Sequence, residues 1–166
     1  MNPDRGGRAS KGAGARVDLI SLTDGDNSFR VRVRGRRSPG VLHLHDLLDA
    51  EVVISSSFVS GRLGTALRPA DLDTWDRALD RLADGQEICW KDDDHSPEIR
   101  IHPHDEEQGT VAVRVEDLGA SCVSVYIPLA LEEGWIDEQR RLLGQVRQEW
   151  PSEVLQSSWG VYEWRR

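Results

Sequence analysis

Between Ala50 and Gly85 the chain passes through strand-like alternation, a proline and an amphipathic helix, and this succession restricts the fold most. Glu51-Val52-Val53-Ile54-Ser55 alternates, and the pattern resumes around Phe58, as suits a strand with one buried and one wet face. Gly61 and Gly64 flank Leu63 in a stretch suited to a turn, bulge or tight bend. Pro69 stands near a helix start, where its missing N–H costs nothing, and Asp71 is a capping residue. Leu72, Trp75, Ala78, Leu79 and Leu82 then share one helical face, with Asp73, Asp76, Arg77, Asp80 and Arg81 on the other. Gly85 is placed to end the helix in the left-handed conformation.

The rest of the chain extends this pattern as antiparallel strands. Val17 to Leu22 reads as a strand, Asp24-Gly25-Asp26-Asn27 as a hairpin turn, and Phe29 to Gly35 as its partner. In that partner Arg30, Arg32 and Arg34 occupy one face, either to bind an anion or to be neutralised by acidic neighbours. Strands follow at Glu87–Trp90, Glu98–Ile101, Thr110–Glu116 and Cys122–Ile127. A second helix is expected from Ile136 to Trp150, ended by Pro151, and Gly160 to Trp164 alternates as a last strand. No internal repeat is visible. Short turns exclude parallel βαβ units, which need long crossovers. The expected fold is α+β, a twisted antiparallel sheet of about seven or eight strands covered on one face by two helices.

At 166 residues the chain is long enough to bury a core without metal or disulfide. Residues 1–16 are Gly- and Arg-rich and expected to be a disordered basic tail, leaving 17–166 as one domain. A start of translation at Val17, where the ordered pattern begins, is a second expectation, which an intact mass from the native host tests. The tail carries a net +3 against −8 for the chain, so the body stands at −11. Such a body repels nucleic acid and anionic membranes and attracts basic partners. No apolar run is long enough to span a bilayer and no secretory signal follows the basic residues, so a cytoplasmic protein is expected. Cys89 and Cys122 lack CxxC spacing and read as two buried, reduced thiols.

Candidate chemistry is sparse. His43 and His45, followed by Asp46, and His102 and His104, followed by Asp105, would supply a metal site if they met in space. Asp92-Asp93-Asp94-His95 lacks the glycine and spacing of a calcium loop. No nucleophile elbow, Walker loop or dinucleotide fingerprint occurs, so no catalytic residue and no cofactor is assigned. Six tryptophans are numerous for this length, and Trp135 and Trp159 stand beside glycines in loop-like contexts. With the acidic runs Asp92, Asp93, Asp94 and Asp105, Glu106, Glu107, they are the candidate contacts for a basic protein partner.

The pattern Phe58, Gly61, Leu67, Asp71-Leu72-x-x-Trp75, Leu79 and Leu82, with Leu19 to Leu22 and Phe29 to Gly35, resembles an uncharacterised actinobacterial family of small proteins. The likeness runs from Val17 to Trp164. More distantly, the strand and the Asp-Leu-x-x-aromatic helix are similar to WapI-type immunity proteins, which neutralise secreted bacterial toxins. That likeness consists of structural residues and carries over no site. It speaks to fold; with the acidic body, whose charge suits a basic partner, the expectation is a non-enzymatic, immunity-type inhibitor of a basic toxin. The alternatives are a metal- or ligand-binding enzyme or sensor built on the histidine pairs, and a regulatory module.

Overall fold

Ten strands lie among the described residues, which are 16–92, 97–105 and 109–166 of the computed structural model. The strands β1 (Val17–Thr23), β2 (Ser28–Arg36), β3 (Leu48–Ser55) and β4 (Ser60–Leu67) form an antiparallel meander in chain order. Helix α1 (Pro69–Ala83) follows. A second meander of β5 (Ile88–Trp90), β6 (Glu98–His102), β7 (Val111–Glu116) and β8 (Ser124–Leu129) leads to helix α2 (Trp135–Glu149). The chain closes with a separate two-stranded hairpin, β9 (Val154–Ser158) and β10 (Val161–Trp164).

The α+β class and the two helices are as expected, but the strands do not make one sheet of seven or eight. They make two sheets of four and one of two. The reason lies in α1, which carries the chain away from β4 so that β5 begins a new meander. Strand patterns record which face is buried, not which edge a strand joins. The order strands–helix–strands–helix also repeats, although no sequence repeat announces it.

One hydrophobic core draws on both large sheets and both helices. Phe29, Val31 and Val33 of β2 and Val113 of β7 are fully enclosed in it, as is Trp75 of α1. The rings of Trp75 and Trp90 lie 5.5 Å apart, joining α1 to β5, and the Trp90 indole N–H donates to the Asp71 carbonyl at 3.0 Å. Across the surface, Arg147 of α2 reaches Asp73 and Asp76 of α1 at 2.9 and 2.8 Å, and Arg140 reaches Asp80 at 3.0 Å.

Helix α1 buries Leu72, Trp75, Ala78, Leu79 and Leu82, as its periodicity requires. Its first turn is as expected, with Pro69 at the start and Asp71 as the capping side chain. Pro69 is the first helical residue, Arg68 precedes it, and Asp71 works from within the turn by accepting the Arg68 N–H at 2.7 Å. Gly85 adopts φ 73, as expected of a glycine past a helix end. The β3–β4 hairpin holds two corrections. Gly61 and Gly64 lie inside β4, and Phe58 is 94 % exposed at the hairpin tip rather than in a strand. The Ser56 hydroxyl fixes that turn by accepting the N–H groups of Phe58 and Val59.

The arginine face of β2 is neutralised rather than free at two positions: Arg32 pairs with Asp18 at 2.8 Å and Arg34 with Asp49 at 3.1 Å. Edge strand β1 is covered by α2. There Gln139, almost wholly buried, accepts the Ser21 N–H at 2.9 Å and donates to the Ser21 carbonyl at 3.0 Å. One side chain thus replaces a missing neighbouring strand. Both cysteines are exposed, against the expectation of burial. Cys89 takes the outward position between buried Ile88 and Trp90, and Cys122 sits in the loop before β8 with φ 54.

Candidate functional site: an acidic face walled by Trp135

The segment from Ala130 to Gly134 is short, apolar at its start and acidic at its end, and it delivers the chain from β8 into α2. Gly134 holds φ 84 at the helix start, a conformation that other residues resist, and Trp135 follows as the first helical residue. Its ring packs half-buried against the core edge. The β1–β2 turn is pinned beside it. Asp24 accepts the N–H groups of Asp26 and Asn27 at 3.0 and 2.8 Å and, with its other oxygen, that of Ala130 at 3.1 Å. The Asn27 amide donates to the Pro128 carbonyl at 3.2 Å.

Two clefts, about 410 and 420 Å³, share the wall formed by Ala130 to Glu133 and Trp135. The first is bounded by the end of β1, Asp24 and Glu138, the second by Pro103, Gly109 and Thr110. Asp24, Glu132, Glu133 and Glu138 supply four carboxylates to the lining, and among the described residues no Lys, Arg or His takes part in it. The Asn27 N–H holds the Asp24 carboxyl below its ordinary range, and the Arg141 guanidinium does the same for Glu138 from the rim, at 2.5 and 2.8 Å. Both are therefore ionised at neutral pH. An apolar ring beside fixed carboxylates is chemically suited to a lysine or arginine side chain, through cation–π contact and ion pairing.

Of the partner contacts singled out in the sequence, Trp135 lies in this wall, and the loop between β6 and β7 borders the second cleft through Pro103, Gly109 and Thr110. Asp105 donates its N–H to the Thr110 carbonyl at 2.8 Å, and its carboxylate accepts the Tyr126 hydroxyl. Asp92 is exposed after β5, and Trp159 is 94 % exposed at the tip of the C-terminal hairpin, each on a different element. Asp93, Asp94, Glu106 and Glu107 lie outside the described residues, as do positions 1–15 of the basic tail.

The histidines are engaged separately. His43 and His45 flank the end of a 3-10 turn, Leu42–Leu44, rather than sharing a strand face. The His45 Nδ1 accepts the Gly40 N–H at 2.8 Å, which leaves Nε2–H to donate to Glu153. His43 lies 6.2 Å from the Tyr162 ring. His102 faces Glu87 at 3.1 Å, and His104 is exposed. Among the described residues no three His, Cys, Asp or Glu side chains gather as metal ligands.

Sequence reasoning missed the clamp that seats the C-terminal hairpin. Asp46 accepts the N–H groups of Glu153 and Val154 and the Ser152 hydroxyl, while Arg36 bridges Asp46, Glu153 and the Pro151 carbonyl. The His-Asp pattern at 45–46 was the signal, and both residues take part in this anchor.

Fold and face together define an α+β domain of two helix-bound meanders with an acidic, aromatic-walled surface. The chain belongs to DUF5959, a family of unknown function, whose pattern it matches over residues 17–151. No curated protein and no solved structure matches it. No helix among the described residues is long and apolar enough to cross a membrane.

Proposed function

We propose that the protein is a non-enzymatic binding module whose Trp135 face receives a basic protein, in the manner of an immunity-type inhibitor of a bacterial toxin. The observation that carries this is the pair of clefts sharing Trp135, with four lining carboxylates and, among the described residues, no lining cation. The net −11 of residues 17–166 extends the attraction beyond contact range, which speeds encounter with a cationic partner. The likeness to WapI-type immunity proteins, and to small actinobacterial proteins, belongs to this reading, as does action in the cytoplasm on a toxin that enters the cell.

Affinity capture from the native host tests it, with the wild-type chain and a Glu132→Gln/Glu133→Gln variant in parallel. The expected result is a stoichiometric basic protein on the wild type, with association at least tenfold slower for the variant at low salt. Equal association rates for both chains would remove this face from the interaction.

A further inference from the structure

A larger cleft, about 630 Å³, opens where β2, the edge strand β4, the start of α1 and the residue after β5 meet. Four cationic side chains line it, Arg34, Arg37, Arg68 and Lys91, against the carboxylates of Asp49 and Asp71. Two of the cations are matched, Arg34 by Asp49 at 3.1 Å and Lys91 by Asp71 at 3.2 Å. Arg37 and Arg68 are the surplus. Both are exposed, and among the described residues neither has an ion pair. A local excess of positive charge in so acidic a body runs against the average field, and it lies at an open cleft.

Lys91 shows that the cleft is built. Its side chain is only 4 % exposed, although lysine is among the residues least often buried. The ammonium donates to the Ala66 carbonyl at 3.1 Å as well as to Asp71. Its backbone holds φ 61, a left-handed conformation that a non-glycine residue keeps only where its surroundings enforce it, and such strain gathers at ligand-holding positions. The same Asp71 oxygen accepts the Arg68 N–H, so the positive end of α1 is locked to the cleft wall.

We infer that this cleft binds a small phosphomonoester. Its dianionic phosphate pairs with the guanidinium groups of Arg37 and Arg68, whose planar forks match phosphate oxygens bidentately. Its organic portion lies against Leu47, Gly64 and Ala66. The volume falls in the range of small-molecule sites and exceeds what inorganic phosphate fills. The inference is independent of the acidic Trp135 face.

Titration of the isotope-labelled full chain with phenyl phosphate, and separately with inorganic phosphate, is the test. Saturable NMR shifts are expected at the amides of Leu47, Gly64 and Ala66, with phenyl phosphate the tighter ligand. The exposed pair Arg37→Gln/Arg68→Gln is expected to weaken binding by about tenfold or more, while Arg140→Gln on α2 leaves it unchanged. No saturable shift in the millimolar range, or shifts indifferent to the double substitution, would overturn the site. Equal affinity for inorganic phosphate would overturn the assignment to a phosphomonoester.

Discussion

Gln139 holds a polar place on the buried side of α2, where the apolar stripe of Leu142, Leu143 and Val146 would otherwise continue. Its amide completes the edge of β1, so removing it leaves the Ser21 N–H and carbonyl without partners under a helix. Gln139→Ala is expected to cost about 1–3 kcal/mol in urea denaturation. Phe58→Ser is expected to change stability by no more than about 0.5 kcal/mol, because the ring is 94 % exposed. A strand-buried phenylalanine, as the alternation around it suggested, would cost several times that. Asp46 gives the pH dependence its sign. Burial alone would raise its pKa, but the N–H groups of Glu153 and Val154, the Ser152 hydroxyl and Arg36 together outweigh that and hold it below the ordinary aspartate value. A depressed folded pKa stabilises the protein above the ordinary aspartate range, and the contribution is lost as pH falls through the folded value. Asp46→Asn should therefore flatten the acid limb of stability against pH, and an unchanged limb in acid titration would refute the linkage.

At the scale of elements, the C-terminal hairpin stands apart from the two meanders. It has only its own two strands, and Leu155, Trp159, Val161 and Trp164 are exposed along it. Two-stranded ribbons are marginal alone, so the clamp through Arg36, Asp46, His45 and Glu153 must supply its order. The Trp164 ring, edge-on to His45 at 4.7 Å, adds a contact of the same kind. Arg36→Ala is expected to speed hydrogen exchange of the β9 and β10 amides while the centre of β2 and β3 stays protected. Equal acceleration across β2 and β3 would mean that the arginine supports the first sheet instead. The hairpin is also where sequence reading fell short. Gly160 to Trp164 announces a strand, but Val154 to Ser158, its partner, is mostly exposed and so carries little hydrophobic alternation.

For the molecule as a whole, the shared core matters more than the count of sheets. Trp75 touches Trp90 across the boundary between the first helix and the second meander, while α2, from the end of the chain's second half, returns to cover β1. Neither meander encloses its own core. Thermal unfolding followed by far-UV circular dichroism and tryptophan fluorescence is therefore expected to give one coincident transition. Two separated midpoints would show that the halves are independent.

The sequence by itself determined both helices, most of the strand positions and the acidic body, because these follow from periodicity, turn chemistry and charge, which are local. It named Trp135 as a candidate contact but not Asp24, Glu132, Glu133 and Glu138, which the fold brings around it. Tertiary structure alone decided that the strands part into three sheets, that Phe58 and both cysteines face outward, and that His45 and Asp46 anchor a hairpin. It also assembled the cationic cleft from Arg37, Arg68 and Lys91, which are separated by a strand pair and a helix. The physical reason is the same in each case. A pattern specifies which face of an element is buried, whereas partnership between elements depends on how those faces close around one core.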